Sequence, residues 1–357
     1  MNKRQLKNAE WSILICTILL IIIGLFAQYS ATLSSDLEEF KKQLTWLFIS
    51  IPIFIAIILI DYRIIAKCSL VLYGITIILL IAVLFTSAVN GARSWFSIGP
   101  ASIQPGEFGK IAVVLLLATT ICKINRHSQR EINKPLKLIA IIGIALLPVM
   151  LIALQPDYGT AISYVMALIF ILFVSGIDKK YIIVSILLVI ILIPLLYFFV
   201  LPEHAKSRID VYLDPYKDPR GAGYNIIQSK LAIGAGGLFG LGWLQGTQTH
   251  LGFLYPKSTD FIFSVIGEEL GFIVAALIIV LYVILITKSI HVAKTAKDDL
   301  GSYIAIGIVR NTTISYIRKY RNDNGLASNN RYTVTIYKLW RKFITYKYNL
   351  YCIVNEY

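Results

Sequence analysis

The chain has 357 residues, of which 57% are hydrophobic and 15% are charged, and its formal net charge at pH 7 is +14. Soluble globular domains carry about 25% charged residues, so this composition excludes a soluble core with a charged surface. It predicts an all-α, polytopic membrane helical bundle.

Apolar runs long enough to cross a hydrocarbon core of about 30 Å recur along the chain. They predict eight membrane spans, at 11–30, 45–60, 68–89, 107–122, 138–155, 159–177, 181–201 and 261–287. The first run follows a basic start, as in a signal peptide, but it is long and lacks a small-residue cleavage site. We therefore expect it to be retained as a helix.

The distribution of Lys and Arg predicts the orientation, because short loops rich in these residues stay in the cytoplasm. With a cytoplasmic N-terminus, the inner segments hold fifteen Lys and Arg and the short outer loops hold three. This topology places a large loop, 202–260, outside the cytoplasm between spans seven and eight. The four cysteines show no paired spacing that would indicate a disulfide or a metal site.

The start of the fourth span carries a pair of opposite charges. Glu107 and Lys110 are three residues apart, so they share one helix face. One interpretation is a structural ion pair that holds the helix end. The other is that Glu107 positions Lys110 towards an anionic ligand. Trp95, just upstream, is typical of a membrane interface.

The sixth span begins with Pro156 and Asp157, on the same outer face. Proline in the first turn and an acidic residue at the start of a helix both favour helix initiation. A helix cap alone would explain Asp157, and a role in a site on the outer face is the alternative.

The outer loop 202–260 contains cations that could hold phosphates through charge-assisted hydrogen bonds, namely Arg208, Arg220 and Lys230. Its glycine-rich stretch, 234–242, would let the backbone approach another surface closely. No Gly-Lys-Ser/Thr follows this stretch, so it is not a Walker loop.

Three carboxylates accompany the eighth span. Asp260 lies at its outer mouth, and Glu268 and Glu269 lie about two turns deeper. Ionised side chains are costly in hydrocarbon, so they usually line a cavity. A carboxylate beside apolar surface has a raised proton affinity, which suits a general base. The alternative for Asp260 is a helix cap.

Taken together, these stretches resemble the SEDS family of cell-wall glycosyltransferases, and within it the elongation branch more than the division branch. The resemblance covers about residues 10–308, and its matching stretches are 91–99, 104–110, 155–160, 213–230, 246–249 and 259–263. It implies ten spans, and polymerisation of lipid II into glycan strands at the outer face of the bacterial inner membrane, with release of undecaprenyl diphosphate.

The resemblance also implies roles for individual residues. Asp260 becomes the catalytic base that takes the proton from the acceptor sugar hydroxyl. The substrate-binding candidates are Trp95, Glu107, Lys110, Asp157, Arg208, Lys230 and Glu268. A divalent cation, Mg or Mn, could assist departure of the diphosphate, although the sequence shows no metal-ligand cluster.

The partners implied are a class B penicillin-binding protein and the rest of the elongation machinery, and nucleic acid is not among them. Two alternatives from other classes stay open: a transporter that flips a lipid-linked precursor, and a non-catalytic cell-shape scaffold. Inverted repeats would favour the transporter, and the two halves of the sequence show no clear self-similarity.

The residues from 309 to 357 differ in character from the transmembrane domain at 1–308. They hold nine Lys and Arg against two carboxylates, where the resemblance implies two more spans. Permitted codons for 319–343, read one nucleotide later, can encode NIGMIMGLLPIIGIPLPFISYGGSS, a sequence typical of those spans. We interpret this tail as the product of a frameshift near 308–312. If the shift is real in the cell, we expect an inactive protein.

Overall fold

The structure is a computed structural model. It describes residues 10–33, 36–86, 93–98, 101–126, 131–195, 214–221, 223–254 and 261–309, together with the single residues 199, 206 and 211. This part of the chain is overwhelmingly helical, so the predicted fold class is confirmed. It also contains one short antiparallel hairpin, in which β1 (Phe96–Ile98) pairs with β2 (Ala101–Ile103).

The long helices follow the predicted apolar runs. In chain order the helices are α1 (Trp11–Thr32), α2 (Glu38–Leu59), α3 (Tyr62–Lys67), α4 (Ser69–Ala82), α5 (Pro105–Ile124), α6 (Pro135–Ala153), α7 (Tyr158–Val174), α8 (Lys179–Leu195), α9 (Tyr224–Ala235), α10 (Thr247–His250), α11 (Ile262–Lys294) and α12 (Asp299–Val309).

Each of the eight predicted spans coincides with one of these helices. Three of them, α1, α6 and α11, are long and apolar enough to cross a membrane by length and composition. Shorter apolar helices lie at Ser69–Phe85, at Tyr158–Val174 and in α12. The chain is therefore a helical membrane protein, and the count of eight spans stays a prediction.

Helix α5 lies at the centre of the larger core. Leu117 and Ile121 on α5 are fully buried, and they belong to one apolar cluster with Ile171 of α7 and Ile304 of α12. Residues all around α5 are buried, which is typical of a helix enclosed by other helices. The side chains of α5 are thus held by neighbours on several sides.

A second apolar cluster joins the first and last long helices. Leu20 of α1 packs with Ile278 and Leu281 of α11. Two contacts show that these helices run in opposite directions. Glu10, at the start of α1, forms an ion pair with Lys288 near the end of α11, and Ser30, near the end of α1, bonds to Glu269 near the start of α11. The same two contacts fix the register of α1 against α11.

Helix α11 is broken at Gly271, which has φ 76° and ψ −178°, a conformation open essentially to glycine alone. The carbonyl groups just before the break accept hydrogen bonds from the backbone N–H groups of 241–242. The two N–H groups just after it donate to the carbonyls of 237–238, and all four bonds measure 2.9–3.2 Å. The glycine-rich stretch predicted to approach another surface therefore supports the break, as polar backbone in a membrane protein requires.

At the predicted cytoplasmic end, Asp298 anchors the start of α12. Its Oδ2 accepts from the Tyr62 hydroxyl at 2.7 Å and from Arg63 at 3.1 Å, and its Oδ1 accepts from the Gly301 N–H at 2.8 Å. Burial and the hydrogen bond to Asp298 raise the pKa of Tyr62. Short helix α3 is thus tied to the last described helix.

Candidate functional site

The charge pair at the start of α5 is a buried ion pair. The Nζ of Lys110 lies 2.5 Å from the Oε1 of Glu107, and the two side chains are 3% and 10% exposed. Glu107 stands in the first turn of α5, where the positive end of the helix dipole favours a carboxylate. The pairing predicted from the spacing is present, and contact with a ligand stays a prediction.

Asp157 is the cap that the sequence predicted, and it also joins two helices. Its Oδ1 accepts from the N–H of Thr160 at 3.1 Å, which caps the start of α7. Its Oδ2 accepts from the side-chain amide of Gln104 at 2.5 Å. A second hydrogen bond between the two helices does not involve Asp157: the hydroxyl of Tyr164 on α7 donates to the carbonyl of Gly106 on α5 at 2.7 Å. The N-terminal ends of α5 and α7 are therefore joined by two hydrogen bonds.

Trp95 lies just before the hairpin and is largely covered by protein, with 8% of its surface exposed. Its carbonyl accepts a hydrogen bond from the Thr86 hydroxyl at 3.3 Å. A tryptophan at the lipid interface would present more of its ring, so the structure places Trp95 inside the protein rather than among headgroups.

Glu268 is fully buried and holds the start of α10. Its Oε1 accepts from the N–H of Gln248 at 2.7 Å and from the hydroxyl of Thr247 at 3.3 Å. Its Oε2 accepts from the N–H of Thr249 at 3.0 Å and from the Thr249 hydroxyl at 2.6 Å. Both oxygens thus position the loop, and the predicted contact of Glu268 with substrate stays a prediction.

Glu269 joins the same loop to α1. Its Oε1 accepts from the Ser30 hydroxyl at 2.5 Å and lies 3.1 Å from the Nε2 of His250. Its Oε2 accepts from the N–H of Leu244 at 3.3 Å. Sequence reasoning missed Ser30 and His250, because no local spacing relates Ser30 to a glutamate 239 positions later.

Of the three remaining predicted site residues, the structure describes only Lys230. Lys230 lies on α9 with its side chain exposed, and the neighbouring Ser229 contacts Ser264 of α11, with 2.6 Å between their hydroxyl oxygens. Arg208 and Asp260 lie outside the described residues. The structure therefore joins α5, which carries Glu107 and Lys110, to α7, which Asp157 caps. A separate contact joins α9, which carries Lys230, to α11, which carries Glu268.

Within the described ranges, no group of three or more His, Cys, Asp or Glu side chains is arranged to hold a metal ion. The predicted Mg or Mn ion therefore has no ligand set in this part of the chain, and it stays a prediction.

The fold and the site define a class of protein, namely a helical membrane protein with a buried ion pair in the first turns of its central helix. The chain belongs to the FtsW, RodA and SpoVE family, described as cell cycle proteins, which it matches over residues 10–319. The predicted resemblance to the SEDS family is thereby confirmed.

The chain is 38% identical over 303 residues to the peptidoglycan glycosyltransferase MrdB of Escherichia coli K12, covering 82% of this chain and 79% of that protein. It is similar in fold to a chain of a peptidoglycan synthase complex that coordinates polymerization and crosslinking, with a TM-score of 0.77, 22% identity, and coverage of 97% and 96%. The rod shape determining protein RodA of Thermus thermophilus gives a TM-score of 0.66 at 21% identity, covering 97% of this chain and 95% of that one.

Proposed function

We propose that this protein is a peptidoglycan glycosyltransferase that polymerises lipid II into glycan strands during cell elongation. The observation that carries the proposal is membership of the family over 10–319, together with 38% identity to a protein named for this activity. The comparisons do not favour the transporter or the scaffold.

In the proposed reaction, Asp260 is the general base. Its carboxylate takes the proton from the acceptor sugar hydroxyl while that oxygen forms a bond to the donor anomeric carbon. The bond from that carbon to the diphosphate breaks, and undecaprenyl diphosphate leaves with the electron pair. The charge on the leaving group grows during this step, so a cation nearby stabilises the transition state.

Lys110 is the cation that we place nearest to this chemistry. It is buried, and Glu107 holds it in place at 2.5 Å. A buried ammonium is desolvated, so it interacts with a diphosphate more strongly than an exposed one would. Asp157 contributes by fixing the end of α7 beside α5. The residues Trp95, Arg208, Lys230 and Glu268 complete the proposed substrate contacts.

The proposed location is the bacterial inner membrane, with the N-terminus in the cytoplasm and the polymerising site at the outer face. A strand made there needs crosslinking, so we propose a class B penicillin-binding protein as the partner. A relative in fold belongs to a complex that coordinates polymerization and crosslinking, which supports this choice. Other members of the elongation machinery would join the same assembly.

The tail from 309 to 357 is proposed to be a frameshift product. Except for Val309, it lies outside the described residues. A direct nucleotide read across codons 300–345, with the mass of the expressed protein, tests this. A single-base correction would restore two spans, whereas an unchanged frame with full activity would mean that those spans are dispensable.

The catalytic assignment is tested in the frame-corrected protein, reconstituted in nanodiscs with lipid II. Asp260→Asn should abolish glycan polymerisation, read as strand length on gels, while membrane insertion and yield stay unchanged. Asp36→Asn removes an exposed carboxylate elsewhere and should retain wild-type polymerisation. If Asp260→Asn polymerises normally, the base assignment fails; if the unmutated protein makes no strands with its partner present, the proposed function fails.

A further inference from the structure

We propose that the segment Gly237–Phe253 is a lipid-interface anchor that inserts apolar side chains into the outer leaflet of the bilayer. This segment belongs to the large loop, 202–260, that the charge distribution predicts to lie outside the cytoplasm. The proposal concerns the surface of the loop, and it does not depend on the reaction proposed above.

The depth of the segment follows from the register of α1 against α11. Glu10 pairs with Lys288 at 3.4 Å, and Ser30 bonds to Glu269 at 2.5 Å. These two contacts are about 30 Å apart along α1 at roughly 1.5 Å per residue, which equals the thickness of the hydrocarbon core. We therefore place one edge of that core at the level of Ser30 and Glu269.

The segment meets the two helices at this edge and slightly below it. The ring of Trp243 lies 5.5 Å from that of Phe26 and 5.8 Å from that of Tyr29, and its indole N–H donates to the Phe26 carbonyl at 3.3 Å. The backbone of 237–238 bonds to the N–H groups of 272–273, which lie deeper along α11 than Glu269. Such a cluster of aromatic side chains is typical of a membrane interface.

The outward surface of the segment is mainly apolar, although Gln245 and Thr247 are exposed as well. Phe239 is 81% exposed and Leu251 is 70% exposed, and Leu238 beside Phe239 is also exposed. They continue onto Phe272, an exposed residue on the α11 surface where the turn packs. The sequence from 231 to 254 contains no Asp, Glu, Lys or Arg. Large exposed apolar side chains that continue the surface of a membrane helix fit acyl chains as their partner.

The backbone of the segment is compatible with this position. Its turn at 237–242 forms backbone hydrogen bonds with α11 on both sides of the break. The carboxylates of Glu268 and Glu269 then accept hydrogen bonds from the N–H groups of Gln248 and Leu244, respectively. Non-helical backbone is tolerated near membrane depth where protein supplies its hydrogen bonds. The backbone of the segment is therefore bonded to the protein, and its large exposed apolar side chains are left for lipid.

Spin labels at single cysteines test the proposal in liposomes containing the full chain. The background replaces the native cysteines, which are Cys16, Cys68, Cys122 and Cys352. Labels at Phe239→Cys and Leu251→Cys are compared with Ile78→Cys, an exposed apolar site on α4, and with Lys217→Cys in the 3-10 turn of the same loop. The readout is accessibility to oxygen, which concentrates in lipid, and to a water-soluble nickel chelate.

We expect the ratio of oxygen to nickel accessibility at Phe239 and Leu251 to match Ile78 and to exceed that at Lys217 several-fold. A ratio equal to that at Lys217 overturns the proposal, because the surface would then face water. Low accessibility to both probes also overturns it, since another protein or a second copy would then cover the segment. The two sites lie on separate turns, so one misfolded variant does not remove the test.

Discussion

Replacing Glu268 by alanine should release the short helix α10 from the broken helix α11. The Glu268 carboxylate is fully buried and accepts four hydrogen bonds from residues 247–249. Two of the four donors are backbone N–H groups at the start of α10, which have no partner within a helix. Alanine removes the carboxylate that accepts hydrogen bonds from both of these N–H groups.

The size of the effect follows from those two donors. A buried donor left without a partner costs about 1–3 kcal/mol, and water entering the vacated space recovers part of that. We therefore expect the free energy of local opening at 247–250 to fall by about 2–4 kcal/mol. Each 1.4 kcal/mol is a factor of about ten, so amide exchange there should accelerate roughly 30-fold to several-hundred-fold.

Hydrogen–deuterium exchange with mass spectrometry measures this directly, on peptides covering 244–254 from protein in nanodiscs. Glu268→Gln keeps one oxygen acceptor and should give an intermediate rate. Glu38→Ala breaks an exposed ion pair with Lys42, which is worth about 0.3–0.5 kcal/mol, and should leave these peptides unchanged. Wild-type exchange in Glu268→Ala would refute the positioning role and leave substrate contact as the reason for this buried carboxylate.

Three further outcomes follow from the described contacts. Gly271→Ala should lower the unfolding temperature, because its backbone conformation alone costs alanine about 1–3 kcal/mol and its Cβ would lie 2.2 Å from the Gly240 N. Gly143→Ala should instead raise the unfolding temperature, because a Cβ at this position of α6 meets no neighbouring atom and alanine has a higher helix propensity than glycine. Lys110→Met should cost about 3–5 kcal/mol, because it removes the cation of a buried ion pair, and adding Glu107→Gln should recover part of that loss in a double-mutant cycle. Hydrogen bonds from two lysines lower the pKa of Glu131 to about 2, so the unfolding-temperature difference from Glu131→Gln should be present above about pH 4.5 and vanish as the pH falls through about 2.

Local patterns in the sequence predicted the local features of this fold. The three-residue spacing of Glu107 and Lys110 indicated their ion pair, and the position of Asp157 before the sixth span indicated that it caps a helix. The apolar runs gave the long helices, because a span must satisfy its own backbone within one continuous segment. In each case the partners are neighbours in the chain, so the period of a helix is enough to bring them together.

Contacts between distant segments could not be predicted in this way. Ser30 and Glu269 meet because α1 and α11 pack in opposite directions, and no period in the sequence encodes that pairing. The two glutamates were therefore interpreted as lining a cavity, whereas the structure gives their oxygens to the loop. The break at Gly271 was likewise hidden inside a long apolar run, since a glycine there is compatible with a helix until its φ is known.

The proposed frameshift follows α12, and the two reading frames differ in the cost of inserting the following residues into a membrane. Helix α12 is native-like in its packing: Asp298 holds its start, and a Cβ on Gly307 would lie 2.6 Å from a methyl group of Val114 on α5. The present frame has Arg310 next in the chain, and an Arg at the centre of a membrane-spanning helix costs about 2.5–3.5 kcal/mol. The shifted reading of 319–343 contains no charged residue. A membrane span favours the uncharged sequence, so we expect the shifted frame to be the reading that continues the membrane domain.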